Sequence, residues 1–294
     1  MINKFILFIL SVISIFKKKI CPNCNYQINK KLLIIDKKYN LKLIECPKCN
    51  LRFVHPIPLN LSNIYYDLVY KDGHTTKIDD HYLDYLNNKS NDIDDITFKN
   101  KISRYSNIYI PLFKKFNSYI KNYNFLDFGS SWGYGSIQFK KYFKKCYVYD
   151  VSKTRLEQAV NNFGLEYLNQ NISYDFIVSI HVIEHLSDFN LLNKIIDNNL
   201  SINGYLLIAC PNGSDQFKKL QYQQYRKLWG FEHPNFISDN FLKEKFKKKF
   251  KFKIFSIPME QNKFNINLKF FDNFENEIYN MEYSEIIFIG KKIA

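Results

Sequence analysis

An α/β fold with a mostly parallel sheet is predicted for the larger, C-terminal part of this chain, and three observations carry the prediction. From Phe125 onward, short apolar runs (Phe125–Phe128, Tyr147–Asp150, Phe176–Ile180 and Tyr205–Cys210) alternate with amphipathic stretches, the spacing of βαβ units. The first run ends in a glycine-containing turn, Gly129-Ser-Ser-Trp-Gly-Tyr-Gly135, that opens a helix. A separate small unit precedes it, marked by two Cys-x-x-Cys turns at Cys21–Cys24 and Cys46–Cys49.

A chain of 294 residues accommodates one full α/β domain and a smaller attachment. Hydrophobic residues at 46% and aromatics at 17% exclude wholesale disorder. The net charge of +14 invites a polyanionic partner. Its make-up argues against specific recognition, because only Arg52, Arg104, Arg155 and Arg226 among 42 basic residues are arginines. Arginine, not lysine, makes the bidentate contacts that read phosphates and bases. The general richness in Asn, Ile and Lys reads as a compositional bias of the source.

The apolar run Phe5–Phe16 is followed by Lys17, Lys18 and Lys19. As a helix it would span roughly 18 Å, short of the roughly 30 Å hydrocarbon core of a bilayer. It lacks the charge order and cleavage site of a signal peptide. Two readings stay open: a helix docked on the protein's own surface, or an interfacial helix over residues 5–19 on the cytoplasmic face of a membrane. The expected location is cytoplasmic in both.

The cysteine pairs lie about twenty residues apart, the ligand spacing of a four-cysteine zinc ribbon. Pro22 and Pro47 pre-set each turn, and Asn25 and Asn50 stand where a left-handed residue is needed. Strands at Lys31–Ile35 and Asn40–Ile44 form a hairpin between them. Disulfides are the alternative, but nothing else points to secretion. Cys21, Cys24, Cys46 and Cys49 are therefore expected to hold a structural zinc, since four thiolates leave no position open for water. Cys146 and Cys210 sit alone in apolar runs and read as buried hydrophobes.

Four segments result: an apolar helix at 1–19, the ribbon at 20–61, a helical linker at 62–123 that contributes to the acceptor site, and the sheet domain at 124–294. In the linker, Ser62–Tyr70 and Phe98–Tyr119 have helical spacing with Pro111 as a break, and Tyr66 and Tyr70 share one face as acceptor-pocket or core residues. Phe252–Ile257 and Glu285–Gly290 read as a closing antiparallel edge pair. The Lys243–Lys253 run reads as a solvated face.

The glycine turn alone is weak evidence. It is strengthened by Asp127 before the first glycine and by a second strand that ends in Asp150, placed to accept ribose hydroxyls. No lysine follows the glycines as in a nucleoside-triphosphate loop. An adenosine cofactor on a Rossmann-like domain is the reading of these residues.

The stretch resembles motif I of class I S-adenosylmethionine-dependent methyltransferases, and the resemblance continues in order over roughly residues 124–290. Tyr149–Arg155 resembles their second-strand acid and helix start, Tyr174–His185 their fourth strand, Asn203–Asn212 their fifth. Trp229–Ser238 resembles a His-x-x-x-Phe loop ahead of a helix. With the ribbon and Arg52-Phe-Val-His-Pro56, the chain resembles a bacterial group acting on sugars and other envelope or natural-product intermediates. The resemblance implies a Rossmann-like, mostly parallel seven-stranded sheet with helices on both faces. It places Asp127 near the methionine amino group, Gly129, Ser131 and Gly133 under the methionine part, Asp150 on the ribose, Val151 beside the adenine, and Asn169 or Gln170 where an acid usually meets the adenine amine.

His181, Glu184 and His185 spell an inverted zinc-peptidase motif, which requires a helix. Here they follow a strand and Asp188 reads as a helix cap, so the peptidase is rejected. The segment falls at the carboxyl end of a strand, where ligands bind in open parallel sheets. Methyl transfer to a hydroxyl needs a proton acceptor, and a histidine titrates in the right range. His185 is the first catalytic candidate and His233 the second; His181 is expected to shape the cofactor pocket. A divalent metal on Glu184, His185 and His233 is the less favoured reading. The expected reaction is methyl transfer to a small sugar-like acceptor, with RNA methylation and a non-catalytic binding module as alternatives.

Overall fold

The computed structural model describes residues 19–28, 33–36, 41–55, 104–116, 123–230, 233–259 and 274–294. The apolar segment before Lys19, and Tyr66 and Tyr70 with most of the linker, lie outside the described residues. Among the described residues no helix is long and apolar enough to cross a membrane.

The N-terminal unit is a small antiparallel sheet of β1 (Leu33–Asp36), β2 (Leu41–Glu45) and β3 (Arg52–His55). Each Cys-x-x-Cys turn closes on an asparagine in the left-handed region, Asn25 (φ 57°) and Asn50 (φ 59°), whose N–H returns to the carbonyl of the first cysteine. The sheet is completed from far along the chain: β9 (Asn235–Phe236) pairs antiparallel with β3, Arg52 opposite Phe236.

The larger sheet contains β4 (Asn124–Phe128), β5 (Lys145–Tyr149), β6 (Glu166–Tyr167), β7 (Tyr174–Ile180), β8 (Leu200–Pro211), β10 (Phe250–Ile257), β11 (Glu277–Tyr279) and β12 (Glu285–Lys292). Their order is β11-β10-β12-β8-β7-β4-β5-β6. The five strands β6, β5, β4, β7 and β8 run parallel, and β12 enters antiparallel between β8 and β10. The expected seven strands are thus joined by an eighth, the short β11 alongside β10. The C-terminal pair is antiparallel as expected, yet β12 is an interior strand, with Glu285 opposite Pro211 and Ile257 on its two sides.

Why these residues form these elements is mostly local. β7 is buried at all but one position, as a central parallel strand covered on both faces must be. The helix α3 (Lys153–Phe163) starts on the Ser152 hydroxyl and stops at left-handed Gly164 (φ 55°). The chain winds outward through β4, α2 (Tyr134–Lys140), β5, α3 and β6, then returns to β7, α4 (Asn190–Asn198) and β8 on the other side. Right-handed crossovers therefore place α2 and α3 on one face and α4 on the other. The reversal falls between β4 and β7.

Ahead of the sheet, a π-helical turn (Tyr105–Tyr109) runs into α1 (Ile110–Phe116), with Ile110 N–H bonded to Tyr105 O. Pro111 does not break the helix: it follows the wider π-helical turn, in which Ile110 already bonds five residues back, and its missing N–H falls at that junction. Phe113 then packs on Phe176 at 4.3 Å and Phe143 at 4.7 Å between ring centres, sealing one face of the sheet.

The remaining helices are α5 (Asp215–Leu220), α6 (Tyr222–Leu228) and α7 (Asp239–Phe246). The lysine run Lys243–Lys253, which begins within α7, is only partly a solvated face. Lys243, Lys247, Lys248, Lys249 and Lys251 are exposed, but Lys253 is buried against Glu277. Lys245 lies within 6 Å of the centres of Phe189, Phe241 and Phe246 and donates to Asn23 and Asn193, each at 2.5 Å. It joins the cysteine unit to the sheet domain, and burial lowers its pKa to about 8.

Candidate active site

The glycine turn leaves β4 between the two strands where the sheet order reverses, so its backbone faces the crevice at their carboxyl ends. Gly129 (φ 95°) is held by its N–H to Tyr149 O, and a Cβ there would collide with the side chain of Val182. Gly133 (φ 86°) is the left-handed entry to α2, and a Cβ would lie 2.9 Å from Ala159 Cβ. That glycine is explained by helix packing as much as by a ligand. Ser131, where the related motif carries its middle glycine, is also left-handed (φ 50°). Its N–H donates to Asp150 Oδ2 at 2.8 Å, which stabilises the strained turn.

Asp150 Oδ1 accepts from Ser152 N–H at 2.9 Å, so this carboxylate ties the turn to the start of α3. Val151 is half-buried beside it. Asn169 is exposed; its side chain closes a local turn on Asn171 N–H while its backbone meets the Tyr174 hydroxyl.

Asp127 is 4% exposed and accepts from Ser136 Oγ at 2.6 Å. Burial raises its pKa to about 7; the Ser136 hydroxyl opposes the rise and nearby Asp150 adds to it. Ser130 Oγ in the same turn is buried and makes no hydrogen bond. A buried carboxyl short of a cation, an orphaned hydroxyl and a left-handed backbone fit a ligand that carries an ammonium group.

Across the crevice, the segment after β7 is a turn and not a helix, as the rejection of the peptidase reading requires. His181 is left-handed (φ 54°). Its Nε2 meets Glu285 Oε1 at 2.8 Å and its Nδ1 lies 3.4 Å from Glu184 Oε1. Burial works to lower the His181 pKa, but the two carboxylates outweigh it and raise it to about 10. Glu285 also accepts from Tyr109 Oη at 2.7 Å and pairs with Arg104, whose Nη1 reaches Met259 O at 2.7 Å. His181 is therefore the half-buried end of a buried ionic chain.

Glu184 is fully buried, and neither carboxylate oxygen makes a hydrogen bond. Burial alone would raise its pKa; His181, His185 and His233 outweigh it and lower it. The rings of His185 and His233 meet edge to face, 4.6 Å between centres. His233 Nδ1 lies 2.6 Å from Leu228 O, and since a carbonyl only accepts, that nitrogen carries the proton. Asn235 clamps this loop to the Glu184 turn, its Nδ2 donating to Ile183 O and Leu186 O and its N–H to Glu184 O.

The two sequence-derived candidates, His185 and His233, are thus brought together, as are Asp127, Gly129, Ser131 and Asp150. Asn235, Glu285, Arg104 and Tyr109 were not singled out in the sequence. A lone acid opening the apolar run Glu285–Gly290 and one of only four arginines were the available signals.

The four cysteines form the second constellation. Their sulfurs lie within 4.8 Å of one another, with Cys21–Cys49 and Cys24–Cys46 at 3.6 Å, and none is in a disulfide.

Residues 96–256 match the residue pattern of a family described as a methyltransferase domain, more than half of the chain. The chain belongs to that family. It is an S-adenosylmethionine-dependent methyltransferase. Solved structures similar to this methyltransferase include the N-methyltransferase NodS of Bradyrhizobium japonicum WM9 with S-adenosyl-L-homocysteine, 13% identical, at a TM-score of 0.44 over 72% of this chain and 99% of that one. A SAM-dependent methyltransferase of Thermotoga maritima is 17% identical, at a TM-score of 0.42 over 65% of this chain and 90% of that one. Among curated proteins no sequence match is found.

Proposed function

We propose that this methyltransferase transfers the methyl group of S-adenosylmethionine to a hydroxyl of a small, sugar-like acceptor such as a cell-envelope glycan precursor. The observation that carries the reading is the pair His185 and His233, 4.6 Å apart beside buried Glu184, on the turn whose Val182 packs against Gly129. Asp127 would take the cofactor's ammonium, the backbone of Gly129, Ser131 and Gly133 its methionine part, and Asp150 the ribose. Val151 and Asn169 would flank the adenine. His181, fixed between Glu184 and Glu285, shapes the pocket wall. The cofactor supplies an electrophilic methyl on a sulfonium; in-line displacement then depends on positioning the acceptor oxygen. His185 takes the hydroxyl proton, with His233 against its ring.

Four thiolates around zinc at about 2.3 Å would stand about 3.8 Å apart, close to the sulfur separations here, which supports a structural zinc. The sugar-like acceptor rests on the likeness of the ribbon and the Arg52–Pro56 connector to the envelope group. RNA is disfavoured further because three of the four arginines are engaged within the chain: Arg52 by Asp215 at the surface, Arg104 by buried Glu285, Arg155 over Trp132.

Methyl-labelled cofactor offered with nucleotide sugars, glycan precursors and total RNA tests the reading. Label is expected in the sugar fraction and should be lost in His185→Ala. Label in RNA instead would overturn it.

A further inference from the structure

We infer that Glu184, His185 and His233 form a binding site for one divalent first-row transition cation, separate from the four cysteines. The donor atoms of the three residues lie within 4.8 Å of one another. Donors about 2.1 Å from a shared cation stand roughly 3 to 3.5 Å apart, so a cation has only to draw them slightly inward. One carboxylate and two imidazoles with remaining positions open is a familiar donor set for such metals.

Two further observations point to a cation. Glu184 has no solvent exposure, and both its oxygens lack a hydrogen bond, a costly state for a buried carboxylate. Its ion-pair neighbours are His181 at 3.4 Å and His185 at 3.8 Å. His233 donates Nδ1–H to Leu228 O, which leaves the Nε2 lone pair available. This is the outer-shell arrangement by which proteins orient a metal-binding histidine. Asn235 supplies the matching support for the carboxylate, fixing the main chain on both sides of Glu184.

The role of the cation in the reaction rests on the proposed transfer to an acceptor oxygen: with the cation bound, His185 would be its ligand instead of the proton acceptor, and an open coordination position would bind the hydroxyl and ease loss of its proton to water. The existence of the site does not rest on that transfer. The site uses nitrogen and oxygen donors, so Co2+ separates it from the thiolate cluster, which retains zinc.

The full-length, zinc-loaded chain is titrated with Co2+ and followed by visible absorption. One equivalent should bind with d–d bands and no sulfur-to-cobalt charge transfer. Glu184→Gln and His233→Gln should each weaken it at least about tenfold, while thermal melting and S-adenosylhomocysteine binding show the variants folded. Should Glu184→Gln not fold, His185→Gln, closer to the surface, replaces it. No Co2+ uptake, or uptake unchanged in the folded variants, overturns the site. Uptake as expected with no methyl transfer to any sugar supports the site and removes the proposed reaction.

Discussion

Acidifying a cofactor titration from about pH 7.5 to about pH 5.5 isolates Asp127, whose burial raises its carboxyl to about 7. The ammonium of the cofactor needs the ionised form. The ionised fraction falls from about three-quarters to about 3% over this window, so apparent affinity should drop about twentyfold, approaching tenfold per unit at the acid end. The α-amino group of the ligand titrates near about 8, above the window. Proton release gives a second readout: near pH 6.5 about three-quarters of a proton should leave per cofactor bound. Calorimetry in buffers of unlike protonation enthalpy measures both quantities. The free protein should respond in the opposite sense. A carboxyl raised in the folded state from 3.8 to about 7 contributes stability at low pH that is lost as pH climbs through that range. Asp127→Asn should bind weakly and without slope. A flat wild-type profile, or a slope that survives in Asp127→Asn, refutes the assignment.

Three further outcomes are expected. Gly129→Ala drives a Cβ into Val182 at a left-handed position, so it should cost about 2 kcal/mol or more in denaturant unfolding and weaken cofactor binding by calorimetry. Glu285→Gln leaves the Arg104 guanidinium, 9% exposed, without its counter-charge and should destabilise by about 3–5 kcal/mol in urea; a loss below about 1 kcal/mol would sink the ionic-chain account. Chelation under mild denaturant should release one zinc per chain and raise hydrogen exchange at Arg52 and Phe236, where β3 meets β9; unchanged exchange would disconnect the cysteine unit from that strand.

What could be read in the sequence divides along contact distance. Strands β4, β5, β7 and β8 announced themselves because their apolar runs are local, and Asp127, Gly129 and Asp150 because a strand–turn–helix places them predictably. Glu285 could not be linked to Arg104 or His181, since those partners meet only after β12 has been inserted between β8 and β10. Pro111 looked like a break because its cost depends on its place within a helix, and it falls where a π-helical turn joins α1. Lys245 resembled its exposed neighbours in composition; only packing reveals that three aromatic rings surround it. Asn235 lay inside a loop already singled out, but amide clamps leave no spacing pattern to detect.

The shared ladder between β3 and β9 bears on how this chain could be divided or recombined. A cut after the cysteine unit would reach beyond that unit. It would strip the edge from a two-residue strand, expose Phe236 and release the loop that carries His233. A catalytic fragment made that way should aggregate or lose its acceptor side, and a chimaera that exchanges only the N-terminal unit should fail unless residues 229–238 travel with it. The two parts are separate in the chain, but through β3 and β9 they share one ladder.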